Sequence, residues 1–261
     1  MTAADTDPAA ASPSGAAPGG RTGERDAPAF LLLDLASPAV FAGTSAAGTA
    51  ADSDVVTDAH GLPYLPRQRI AARLRDAAVS AVRADPALLP AARSLFGASR
   101  KHGPGRILRI GHAAPSEPVR AAVAWALEQR AGEGSGDAAS TLVRAVTDAF
   151  TSVESGVAID GAGASADARL RTVRVVDAGL RLTAPLRWTR TPGPEEVRCL
   201  ARAALAFTQA GLKAGRGRGR LDARLAETSD AEADAAHART LAWADVDTGI
   251  ESGGSVRERR M

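Results

Sequence analysis

Gly215 to Arg220 alternates glycine with arginine, and Leu221 follows. Glycine lets a backbone turn tightly and come close to a ligand. Arginine offers a planar fork that matches phosphate oxygens. Together they suit a nucleic-acid backbone. No Gly-Lys-Ser/Thr follows, so this is not a nucleotide-binding P-loop. A second basic group, Arg67, Arg69, Arg73 and Arg75, lies in a stretch of helical spacing. Arg73 and Arg75 flank Leu74, so these side chains cannot all share one side of a helix. Upstream stand Asp52, Asp54 and Asp58. A carboxylate there can hold a divalent cation or orient a ribose 2′-hydroxyl. The Asp-x-Asp start does not continue as a calcium loop, because Val56, Thr57 and Pro63 occupy its fifth, sixth and twelfth positions. His60, His102, His112 and His237 have no metal-ligand spacing. His60 and His102 remain candidates for a histidine-based nuclease. The ordinary alternatives are a solvated turn for the glycine-arginine loop, a solvated loop for the acids and an exposed helix face for the arginines.

The bulk composition is a weak guide. Net charge is only +2, so arginine placement says more than arginine number. Lys101 and Lys213 are the only lysines. Aromatics are 3% of the chain, so the core must be built of Ala, Val and Leu. Cys199 is the single cysteine, which excludes an intrachain disulfide. No secretory signal is evident, and the longest apolar run, residues 30–41, is broken by Asp34 and too short for a bilayer. The expectation is a cytoplasmic protein with no membrane association.

The elements that must position these residues follow in a readable order. Residues 1–28 carry no large apolar residue after Met1 and are expected to be a disordered tail. A strand is expected over residues 29–41 and a helix after Pro66, with Ile70, Leu74, Ala77, Ala78 and Ala81 on one face. Another strand is expected at 106–113. A long insertion at about 115–168 carries helical pieces around Trp125 and Val143. Residues 171–188 read as the strongest strand, bent at Gly179. A helix begins at Pro194, with Gly211 as its C-terminal cap, and a last strand spans 220–226. From 229 to 261 a polar, partly disordered tail is expected. The domain of residues 29–228 is thus α+β. Its order is that of a ferredoxin-like, RRM-like βαββαβ core with a long insertion between the second and third core strands.

Four segments carry a resemblance to a known family. They are Ser37 to Gly43; Gly61-Leu-Pro-Tyr-Leu-Pro66 followed by Ile70 and Leu74-Arg75; Leu95-Phe96-Gly97 followed by Gly105-Arg-Ile-Leu; and Gly215 to Arg220. In order and spacing they resemble the RAMP superfamily, above all the guide-RNA-binding backbone subunit of type III CRISPR effector complexes. Two departures stand out. Where the family usually has Gly-Ser-Ser-Leu-Lys-Gly after the second motif, this chain has Arg67-Gln-Arg-Ile-Ala-Ala72. Near the place of an aspartate that often ends the strand after Leu-Phe-Gly stands His112.

The resemblance implies a subunit of an antiviral ribonucleoprotein complex. Its partners would be guide RNA, complementary target RNA and other RAMP subunits. The RNA contacts it implies are Gly215, Arg216, Gly217, Arg218, Gly219 and Arg220, with Arg67, Arg69 and Arg73 standing in for the missing lysine. In cleaving members an aspartate a few residues before the Gly-x-Pro motif supports cutting. Asp52 holds that position, with magnesium or manganese as the implied cofactor. Whether the chain is an endoribonuclease stays open. The alternatives are a non-catalytic scaffold subunit of the same complex and a stand-alone endoribonuclease that processes precursor guide RNA. Aromatic side chains are absent from residues 171–177, expected to be the central strand. This argues against base stacking and for backbone contacts, with sequence read by base pairing.

Overall fold

The structure, a computed structural model, describes residues 27–42, 54–97, 105–132, 136–159, 165–212 and 217–245. The tail expected over residues 1–28 lies outside these, apart from its last two residues. In chain order the elements are β1 (Phe30–Leu35), α1 (Arg67–Ala84), a 3-10 turn (Pro86–Leu88), α2 (Leu89–Phe96) and β2 (Leu108–Ile110). Then come α3 (Glu117–Gly132), α4 (Gly136–Phe150), β3 (Thr151–Ile159), β4 (Ser165–Val176) and β5 (Arg181–Trp188). After these, among the described residues, stand α5 (Pro194–Ala206), β6 (Leu221–Ala226) and α6 (Ala233–Ala244). Helices and antiparallel sheets share the chain, so the fold is α+β. Among the described residues no helix is long and apolar enough to cross a membrane.

One sheet has the order β2-β5-β1-β6, with every pair antiparallel. Strand side chains alternate between faces. Leu31, Leu33 and Leu35 of β1, Leu182, Ala184 and Leu186 of β5, and Leu221, Ala223 and Leu225 of β6 thus line one buried face. Against it lie Ile70, Leu74, Ala77 and Ala78 of α1 and Leu200, Ala203 and Ala204 of α5. Each buried leucine contributes about 2 kcal/mol. This aliphatic packing is what the low aromatic content requires.

Helix ends are set locally. Pro194 opens α5, and the N–H of Gly193 donates to Glu196 Oε2 at 2.8 Å. Pro66 precedes α1 without a capping side chain, so the freed N–H of Arg67 finds the Nδ1 of His112 at 3.4 Å.

Three expectations need correction. Residues 171–188 are not one strand. At Asp177 to Leu180 the chain turns through Gly179, at φ 85°, whose N–H donates to Leu35 O at 2.7 Å. The arm before the turn is β4, which pairs with β3 in a separate two-stranded hairpin; only β5 enters the sheet. Alternation is the same in both arms and cannot name a strand's partner. Secondly, the insertion holds β3 and β4 as well as α3 and α4, and runs past residue 168 to Val176. Thirdly, Gly211 does not cap α5, which ends at Ala206 with Phe207 as its cap. Gly211 has φ 91°, and a Cβ there would lie 2.6 Å from Val40 O, so close approach of two backbones explains it. Residues 246–261 lie outside the described residues, while within the tail expected from residue 229 lies α6. Its contact face is small, formed by Ala236, Thr240 and Ala244, all buried. That face escapes a search for large apolar residues.

Candidate nucleic-acid interface

The chain after β1 gathers the sequence motifs. Ala36 and Ser37 donate their N–H groups to Arg220 O at 2.8 and 3.2 Å, and Gly219 N–H donates to Pro38 O at 2.9 Å. Ser37 Oγ accepts from Arg220 N–H at 2.9 Å. The two described glycines of the loop have different tasks. Gly219 has φ 69°, and a Cβ on it would fall 1.8 Å from Ala210 O, so no other residue fits. Gly217 has φ 78° with open space around it, so only its backbone angle is demanding. Farther along, Val40 bridges to Leu212 and Ala42 to Val55, which brings the acidic segment to the same ribbon of chain.

Not all the expected contacts converge there. Arg220 is exposed. Arg218 is ion-paired to Glu154 of β3, and its Nη1 is buried without a partner. Arg69 donates through Nη2 to Ala42 O, and its Nη1 is likewise buried without a partner. Arg69 is thus held by Ala42 and Arg218 by β3, and each keeps one buried guanidinium nitrogen without a partner. Arg67 and Arg73 are exposed on α1, and Arg67 lines a separate cavity on the side of β2. Asp52, Gly215, Arg216 and His102 lie outside the described residues.

The described acids are already occupied. Asp54 Oδ1 lies 3.4 Å from Arg174 Nε and accepts from Val55 N–H at 2.8 Å. Asp58 Oδ1 accepts from the N–H groups of His60 and Leu62 at 2.9 and 3.0 Å, which fixes the turn into the Gly-x-Pro motif. Among the described residues no group of three His, Cys, Asp or Glu side chains could hold a metal ion. Asp54 and Asp58 are engaged in these contacts, and Asp52 lies outside the described residues. Burial pushes the Cys199 thiol up to about 11, so it is no thiolate nucleophile at neutral pH.

The insertion is tied to the same ribbon of chain. Arg174 links Asp54 to Asp148, at 2.7 Å from the latter. Ala39 pairs with Val176, and Thr147 Oγ1 donates to Gly61 O at 3.0 Å. Gly61, the first residue of the Gly-x-Pro motif, has φ 83°, and a Cβ there would lie 2.3 Å from Val143 O. Its identity is set by the approach of α4.

The sheet face opposite the helices offers no aromatic platform. Phe30 is packed with Leu32, Ala226 and Ala236, and Asp34 is ion-paired to both Arg181 and Arg224. The hydrogen bond to Asp34 is the main reason the Arg181 guanidinium is raised above its ordinary pKa. At the other end of this face Arg109 and Arg187 stand directly opposite each other, both exposed.

No family model matches the sequence, and no curated protein does. Solved structures do share the fold. A chain in the cryo-EM structure of Type III-B Cmr-beta bound to cognate target RNA superposes with a TM-score of 0.55 at 9% identity, over 76% of this chain and 96% of that one. A chain of the apo-state Type III-B Cmr-beta structure gives a TM-score of 0.55 at 10% identity, over 77% of this chain and 98% of that one. At such identity the likeness speaks for the fold alone.

Proposed function

We propose that the chain is a RAMP-type subunit of a CRISPR ribonucleoprotein complex and holds guide RNA by its phosphate backbone. The order βαββαβ, with strands arranged β6-β1-β5-β2, supports a ferredoxin-like core carrying the inserted helices and hairpin. The likeness to chains of Type III-B Cmr-beta supports the assignment to such an assembly. Its partners are then guide RNA, target RNA and neighbouring subunits, in the cytoplasm. The observation that carries the reading is the glycine-arginine loop. Its second half is clamped to residues 36–38 by backbone bonds, which leaves the Arg220 side chain exposed. A rigid backbone carrying an exposed guanidinium is what a phosphate contact needs.

The test is RNA affinity against salt. Removing Arg216, Arg218 and Arg220 together should weaken binding and flatten the salt dependence by about one unit of slope per lost contact. Unchanged affinity and slope would overturn the reading. Arg220→Ala alone is the cleaner arm, because Arg218→Ala also breaks the pair with Glu154.

Cutting of target RNA rests on Asp52 alone, since Asp54 and Asp58 are engaged elsewhere. The assembled complex with a guide-matched RNA and magnesium or manganese decides it: Asp52→Ala should abolish cleavage and spare binding. The scaffold reading is favoured by the pairing of Asp54 with Arg174, and absence of cleavage by the unaltered complex would establish it. The histidine-nuclease reading rests on His60 and on His102, of which His102 lies outside the described residues.

A further inference from the structure

At the β2 edge of the sheet, α1, the end of α2 and β2 enclose a cavity of about 400 Å³. Arg67 and Arg75 line it from α1, and Arg106 and Arg109 from β2 and its lead-in, over a floor that includes Phe96 and Leu108. No carboxylate lines it. Its volume lies within the usual range of ligand pockets.

The arginines here are treated differently from those elsewhere. Arg174, Arg181, Arg190, Arg202, Arg218 and Arg224 each meet a carboxylate. Of the cavity arginines, Arg75 donates to Phe96 O at 3.2 Å, which the open carbonyl end of α2 explains. Arg67, Arg106 and Arg109 make no ion pair among the described residues, and the partner directly across from Arg109 is Arg187. Like charges in that position repel. A bound anion would relieve the repulsion.

We infer that this cavity is a second phosphate-binding site for a nucleic-acid backbone. It lies at the sheet edge opposite β6, which the glycine-arginine loop leads into, about 14 Å away at the ordinary strand spacing. Arg106 and Arg109 line the cavity, and Arg109 stands opposite Arg187 on β5, so the cationic surface continues beyond the cavity. An extended cationic surface suits a repeating anion, where a single carboxylate would meet one or two of the arginines. The choice of RNA among phosphate ligands rests on the function proposed above; the phosphate chemistry rests on the cavity.

The test uses the full chain and the double variant Arg106→Gln/Arg109→Gln. Both side chains are exposed, so the fold should survive, with an unchanged thermal midpoint as the check. Labelled single-stranded RNA, pyrophosphate and poly-glutamate are the probes. The double variant should lose about 1.4 units of RNA salt slope, for two contacts on a single strand, and should lose pyrophosphate binding. RNA binding by the native chain with an unchanged slope in the variant overturns this site and leaves the loop reading intact. Loss of pyrophosphate binding in a chain that binds no RNA supports the site and overturns the loop reading. No binding of either probe by the native chain overturns both. Loss of poly-glutamate binding with RNA retained overturns the site in favour of an acidic protein partner.

Discussion

At the β6 edge of the sheet, Thr240 of α6 is fully buried; its Oγ1 accepts from Leu225 N–H at 2.9 Å and donates to Ala236 O at 2.6 Å. The helix closes that edge with an uncharged side chain. The β2 edge has a partner on one side only, spans just Leu108–Ile110 and carries Arg109 at its centre. It is backed by charge: Ile107 N–H donates to Ser94 O at 2.9 Å, and Ser94 Oγ donates to Glu196 Oε1 at 2.6 Å, beside Arg190. A short charged strand avoids sheet-to-sheet aggregation without a cover. One edge is thus finished by packing, and the other is left open to a charged ligand.

The largest expected effect is on the closed side, where the lead-in to β6 passes Ala210. Gly219→Ala combines a left-handed backbone with a backbone collision and should cost roughly 3 kcal/mol or more in denaturant unfolding. Gly217→Ala, with open space, should cost about 1 kcal/mol. Equal effects would refute the distinction between the two glycines. Next, Thr240→Val leaves the Leu225 N–H buried without a partner and should cost about 1–3 kcal/mol. A neutral outcome would mean that α6 does not close the edge.

A third test separates the edges by pH. Burial pushes the Glu196 carboxyl up, but hydrogen bonds from Arg190, Ser94 and the Gly193 N–H outweigh it and hold the group below its ordinary value. A depressed carboxylate stabilises the fold above the ordinary glutamate pKa of about 4.3, and the contribution is lost as pH falls through the native value. Amide exchange at Ile107 and Thr189, corrected for its intrinsic rate, should therefore rise in acid before that of Leu225. Simultaneous loss would show that the two edges share one cooperative unit. The smallest effect belongs to Arg109→Gln, within about 0.5 kcal/mol and in the stabilising direction, because it removes the repulsion from Arg187. A clear destabilisation would mean that Arg109 supports the fold.

Sequence reading recovers what periodicity encodes. The face of Ile70, Leu74 and Ala77, the alternation from Leu182 to Leu186 and the proline-led start of α5 all stand as expected. It misses what depends on distant partners. Nothing local says that β4 pairs with β3 and not with β1, or that Thr240 reaches Leu225. The site divides in the same way. Glycine and arginine in the last loop are legible as types, but the attachment of Arg218 to Glu154 and of Arg69 to Ala42 comes from the tertiary fold. Arg106 and Arg109 gave no signal, because a basic residue before or within a short strand is common. They matter only once α1 brings Arg67 and Arg75 opposite them.

The central place of β1 has a consequence for how the protein is made. Phe30 pairs with Pro185 on one side and Ala226 on the other, so β1 is made well before either of its partners. At about 5–20 residues per second the interval from Phe30 to Ala226 lasts roughly ten to forty seconds. Throughout it Leu31, Leu32 and Leu33, all fully buried at the end, have no sheet to join. During that interval these leucines are open to aggregation, and shortening the segment between β2 and β5 would shorten the exposure.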